Sequence, residues 1–122
     1  MFMQVLSPAT ALWDQQTLFV VHGPGAAPRG RMAAWGPLTD LGWTLVLTNW
    51  ESAADLRELL ERCRTRGLDR SRVVVVGVSD GGPPAVELAR EVGLPCVRVS
   101  EGEPLAVIAR EALKAIPPGL PE

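Results

Sequence analysis

The chain has 122 residues, 47% of them hydrophobic, with 12 basic against 14 acidic side chains and a formal net charge of −2. This length suits one domain with a real core, and the acidic balance argues against a nucleic-acid-binding surface. No apolar run approaches the ~20 residues of a membrane span, and the N-terminus lacks the charged and apolar regions of a secretory signal, so a cytoplasmic protein is expected.

In chain order, Phe2, Val5 and Leu6 suit a short edge strand limited by Pro8. Thr17 to His22 (TLFVVH) is the first clear strand and ends in Gly23-Pro24-Gly25. Arg31 to Leu41 carries Met32, Trp35 and Leu38 at helical spacing, and Gly36-Pro37 interrupts it, which predicts a short or kinked helix closed by Gly42. Thr44 to Thr48 (TLVLT) is the second strand. Ser52 and Asp55 have the form of a capping box. The helix they open sets Leu56, Leu59, Leu60 and Cys63 on one face and is ended by Gly67.

Arg72 to Gly77 is the third strand and holds four consecutive valines, the pattern of a strand buried on both faces. A turn of Ser79, Asp80, Gly81 and Gly82 leads to Pro83 and Pro84, tolerated in the first turn of a helix that runs to Val92 and is capped by Gly93. Cys96 to Ser100 (CVRVS) is the fourth strand, and Pro104 to Ile116 is a last amphipathic helix before a Pro-rich tail. Strands alternate with helices, which predicts a single three-layer α/β domain: a Rossmann-like parallel sheet of four or five strands with right-handed crossovers and helices on both faces. Cys63 and Cys96 read as small buried hydrophobes in a reducing compartment, and with one His and no close spacing they do not form a zinc site.

The order of these features resembles the haloacid dehalogenase (HAD) superfamily of phosphotransferases. LFVVHGPG (Leu18 to Gly25) looks like its first motif, a strand ending in Asp-x-Asp-Gly. GWTLVLTN (Gly42 to Asn49) looks like its second, a strand ending in Thr or Ser. Gly67 to Ser100 looks like its fourth motif and the helix, Gly-Leu-Pro and strand after it. The likeness implies that the first and third strands are central neighbours flanked by the second and fourth. It also implies that His22–Gly25, Thr48–Asn49 and Gly77–Gly82 border one crevice. Gly23, Gly25, Thr48, Asn49, Gly77, Gly81 and Gly82 become candidate phosphate- or ligand-binding positions, and Asp80 the candidate ligand for Mg²⁺.

The chain departs from that pattern where the chemistry resides. His22 and Pro24 stand where the family has its nucleophile and general acid, Val78 where it has a metal-binding Asp, and Gly82 where it has a further acid. No Lys lies between the second and fourth motifs, where the family places a phosphate-binding base; Lys114 is the only lysine. An aspartyl-phosphate mechanism needs a carboxylate nucleophile, and Mg²⁺ beside a phosphate needs one or two carboxylates. The resemblance therefore implies a degenerate, capless core without ordinary phosphatase activity, acting on a small phosphorylated molecule or a protein partner through binding alone.

Other readings stay open at the same residues. Gly77-Val78-Ser79-Asp80-Gly81 also matches GxSxG, the nucleophile turn of α/β-hydrolases, with Ser79 as nucleophile; no His follows it to complete a triad. His22 reads either as a base or phosphoryl acceptor, or as a polar cap on a buried strand. Asp80 either caps the helix after it or borders an anion site made of backbone N–H groups. Glu51, Asp80, Glu101 and Glu103 read as solvated loop acids or as a loose metal cluster. Of the four tryptophans, Trp35 and Trp43 read as packing, whereas Trp50, beside the crevice, reads as a stacking or interface residue. Two functions follow: a degenerate binding or interaction module, or a divergent hydrolase using His22 or Ser79. Oligomeric state is left open.

Overall fold

The four valines lie at the centre of the sheet. The computed structural model of the chain describes residues 2–6, 16–23, 35–66, 72–100 and 104–115. Within them β1 (Phe2–Leu6), β2 (Thr17–Val21), β3 (Thr44–Asn49), β4 (Val73–Val78) and β5 (Cys96–Val99) form one sheet in the order β1-β3-β2-β4-β5. The strands β3, β2, β4 and β5 are parallel, with Thr17 level with both Thr44 and Val73, and Gly77 level with Arg98. The two central strands are β2 and β4, each buried along its whole length. The result is an α/β domain with a mostly parallel five-stranded sheet, consistent with a Rossmann-like layout.

The sheet is not wholly parallel, as the sequence had suggested. β1 runs antiparallel along β3, with Phe2 opposite Asn49 and Leu6 opposite Leu45. Only residues 7–16 separate β1 from β2, fewer than the dozen or more that a crossover to a parallel strand requires.

Alternation along the strands feeds two cores. Phe19, Val21, Val46, Val73 and Val75 face one way, toward Leu56, Leu59 and Cys63 of α1 (Ala53–Thr65) and Ala85, Leu88 and Ala89 of α2 (Gly82–Val92). Leu18, Val20, Leu45, Leu47, Val74 and Val76 face the other way, toward Trp35, Leu38 and Trp43 and toward Ile108 and Ala112 of α3 (Leu105–Ala115). Helices thus cover both faces, as expected from alternating elements.

Local signals mostly act as read, with informative differences. Gly36-Pro37 opens a 3₁₀ helix, Gly36–Leu41, with Pro in the first turn, where a missing N–H costs nothing. Residues 31–34 lie outside the described set. The third strand extends one residue further, to Val78, and α2 begins at Gly82 after a 3₁₀ turn, Ser79–Gly81. Gly67 lies outside the described residues, as does the Pro-rich tail from residue 116.

The Ser52 hydroxyl accepts from the Asp55 N–H at 3.3 Å, as the capping box requires, and the Asp55 carboxylate reaches back to the backbone before the helix, with its closest bond from the Glu51 N–H at 3.0 Å. That backbone bond from Glu51 is the chief reason the Asp55 carboxyl sits below its usual pKa. Replacing Ser52 with Ala removes the cap and is expected to cost ~1 kcal/mol of stability, read as a lower urea midpoint.

Cys63 and Cys96 are free thiols, the first fully buried and the second half-buried. Burial pushes the Cys63 thiol up to about 11 from 9.0. Between those two values the unfolded chain loses a proton that the folded chain keeps, so stability must fall as pH rises through that window. The chain has no tyrosine to titrate there. Denaturant midpoints from pH 8 to 11 should therefore fall more steeply for the parent than for Cys63→Ala.

Candidate functional site

Because β2 to β5 are parallel, their carboxyl ends share one edge, and the chain reverses its direction of travel between β2 and β4. That switch point is where open α/β sheets form their binding crevice. Around it stand His22 and Gly23 after β2, Thr48 and Asn49 at the end of β3, and Ser79 to Gly82 after β4. Gly25, proposed with them, lies outside the described residues, as do Pro24, Glu101 and Glu103.

The glycines of the β4 turn are demanded by close approach. A methyl on Gly81 would collide with the Val21 carbonyl oxygen and lie 2.7 Å from that of His22. A methyl on Gly77 would lie 2.7 Å from the Gly82 Cα and 2.8 Å from the Ala85 Cβ. The turn after β4 therefore folds down over the end of β2, and α2 leaves tightly against β4. A methyl on Gly23 would sit 3.4 Å from the Asp80 Cβ, so the two loops meet there.

Ser79 and Asp80 are exposed on top of this turn. Ser79 has φ of +51°, and among the described residues no other non-glycine has a positive φ. Such backbone in a residue with a Cβ is held only where its surroundings impose it, and here the packing of Gly77 and Gly81 does so.

The remaining candidates are turned inward. His22 is 3% exposed, with its ring edge-on to Trp35, centroids 6.0 Å apart. Thr48 is buried, and its hydroxyl donates to the Val20 carbonyl at 2.8 Å, so its proton is committed to the neighbouring strand. Asn49 is half-buried opposite Phe2 of β1. Trp50, expected to be a stacking or interface residue, is instead 4% exposed in the core with α1, and its indole N–H donates to the His22 carbonyl at 2.9 Å. An amphipathic ring at a strand end fits either setting; here the carbonyl row at the end of β2 supplies the buried partner its N–H needs.

One residue of this edge escaped the sequence reading. A methyl on Gly82 would lie 2.8 Å from Nε and 3.0 Å from Nη2 of Arg98, so the guanidinium lies across the first residue of α2. Arg98 joins no ion pair among the described residues, whereas Arg57, Arg62, Arg64 and Arg90 each do. The available signal was an Arg between two valines on a strand whose register sets it beside Gly77.

The described donors do not form a set for Mg²⁺. Among the described residues no three His, Cys, Asp or Glu side chains are grouped to hold a metal ion, and Val78 presents a buried apolar side chain at the end of β4. A cavity of about 340 Å³ lies at the opposite edge, between α1 and α2, over Leu60, Val73 and Leu94. Its rim charges are already paired, Arg57 with Glu91 and Arg64 with Glu61.

The fold and this edge define an α/β domain with loops gathered at a switch point. No helix of the described residues is long and apolar enough to cross a membrane. No family model matches the chain, and no curated protein matches it.

Proposed function

We propose that this chain is a degenerate HAD-like domain, without aspartyl-phosphate phosphatase activity, that binds a small phosphorylated molecule at the carboxyl edge of its sheet and acts as a binding or interaction module. The observation that carries the reading is the chemistry at the two central strand ends. His22 and Pro24 follow β2, Val78 ends β4, and Asp80 is the one carboxylate in the β4 turn. A carboxylate nucleophile has no place in such a set.

Binding is supported from a different side. The first turn of an α-helix is the positive end of its dipole; in α2 Pro83 and Pro84 have no N–H and the Gly82 N–H donates to the Ser79 carbonyl, so the dipole and Arg98 are what an anion would meet. Arg98 lies over that turn of α2 with no described carboxylate to balance it. A cation beside a helix N-terminus is unfavourable unless an anion joins them. Titration of the folded protein with inorganic phosphate should shift the backbone amide signals of Asp80 to Gly82, and Arg98→Ala should weaken that binding about tenfold or more. Amide signals that stay unmoved at millimolar phosphate would sink the reading.

A divergent hydrolase is the second reading, and Ser79 is what favours it. An exposed Ser with φ of +51° between close-packed Gly77 and Gly81 has the form of a nucleophile turn. His22 is the only histidine that could serve as base. A fluorophosphonate probe should then label Ser79 in the parent and leave Ser79→Ala unlabelled; an unlabelled parent removes this reading.

A further inference from the structure

The geometry points to Met3 as a redox-sensitive latch that holds β1 against β3, the strand that ends at Thr48 and Asn49. β1 is an outermost strand, with β3 as its only partner in the sheet. Register sets Met3 level with Thr48 and Phe2 level with Asn49. On the helix side Met3 is half-buried, and its Sδ accepts from the Cys63 thiol of α1 at 3.5 Å. The two sulfurs are therefore one of the points where the outer strand meets the core below it, beside Val5 on the same face.

Their reactivities differ. Cys63 is fully buried and holds its proton well above neutral pH, and a buried thiol oxidises slowly. Met3 is only half-buried on an outermost strand, and a thioether needs no deprotonation. A peroxide gives one oxygen atom to the Sδ lone pair, its O–O bond breaks, and the reduced peroxide leaves as water or alcohol. The product is a sulfoxide, polar and pyramidal, in a contact sized for a thioether. Its oxygen needs a donor, and the nearest group is a thiol, a weak one. β1 then separates from the core, and the edge of β3 behind Thr48 and Asn49 is uncovered. Control of ligand binding by this route rests on the binding function proposed above; the latch itself does not.

The test treats the folded protein with graded hydrogen peroxide, places the added oxygen by peptide mass spectrometry and follows backbone hydrogen exchange. Molecules oxidised at Met3 should exchange the amides of β1, and those of β3 that face it, roughly tenfold faster or more. Methionine sulfoxide reductase should restore slow exchange, and Met3→Leu should show neither effect. Met3→Gln, a polar side chain of similar length, should exchange fast without peroxide. Unchanged exchange in protein oxidised at Met3 overturns the proposal, as does a Met3 that resists doses sufficient for the unfolded chain. Fast exchange on oxidation, with no phosphate affinity in either form, would overturn the binding function and leave the latch standing.

Discussion

Gly81→Ala is expected to lower stability by ~3 kcal/mol, the upper end of what overpacking usually costs. The added methyl meets backbone rather than a flexible side chain: the Val21 carbonyl oxygen lies in its place and the His22 carbonyl oxygen is 2.7 Å away. Neither can move without pulling the end of a central strand out of register. Gly36→Ala is the matched control, since a methyl there meets nothing within 4 Å and its backbone is not left-handed. It should stay within ~1 kcal/mol of the parent, slightly stabilised if anything. Urea unfolding of the two variants separates close approach from generic loss of glycine; equal, small effects would mean that the β4 turn does not rest on the end of β2.

Trp50→Ala should cost ~3–5 kcal/mol, the range for emptying a buried aromatic position. Trp50→Phe keeps most of the apolar body but leaves the buried His22 carbonyl without its indole donor, and should cost ~1–3 kcal/mol. A ligand-stacking tryptophan behaves in the opposite way: its removal spares stability and weakens binding. Denaturation midpoints of both variants decide between the two roles. Little change in either would return Trp50 to the surface and undo the packing described for the end of β2.

The parallel core was legible because its signals are local. The valines of β4 and the continuous apolar run of β2 specify strands buried on both faces, and the spacing of Leu56, Leu59, Leu60 and Cys63 specifies the face α1 buries. The order of the four parallel strands agrees with the arrangement inferred from their motifs. The direction of β1 was not legible from its five residues; it depends on how little chain follows before β2. Trp50 and Arg98 were misjudged or missed for one shared reason. What fixes them is a partner distant in sequence: the His22 carbonyl 28 residues away for Trp50, and Gly82 brought under the guanidinium for Arg98. The glycines of the β4 turn were visible as a turn, but the clash that makes Gly81 indispensable lies with another strand. Thr48 shows the same limit, since a hydroxyl donated to Val20 across the sheet reads in sequence like one open to a ligand.

The reading of the carboxyl edge turns on which side chains stand at the ends of β2 and β4. A buried histidine, a proline and a buried valine hold no phosphoryl group covalently in the aspartyl manner, while an anion can still meet Arg98 at the positive end of the α2 dipole. The most direct measurement is phosphate release from a panel of phosphate monoesters, with and without Mg²⁺, on protein shown to be folded, beside Ser79→Ala. The expected result is no release from either protein under either condition, with phosphate binding retained by the parent. Release that requires Mg²⁺ and survives Ser79→Ala would contradict it, and would mean that carboxylates outside the described residues complete a working phosphatase.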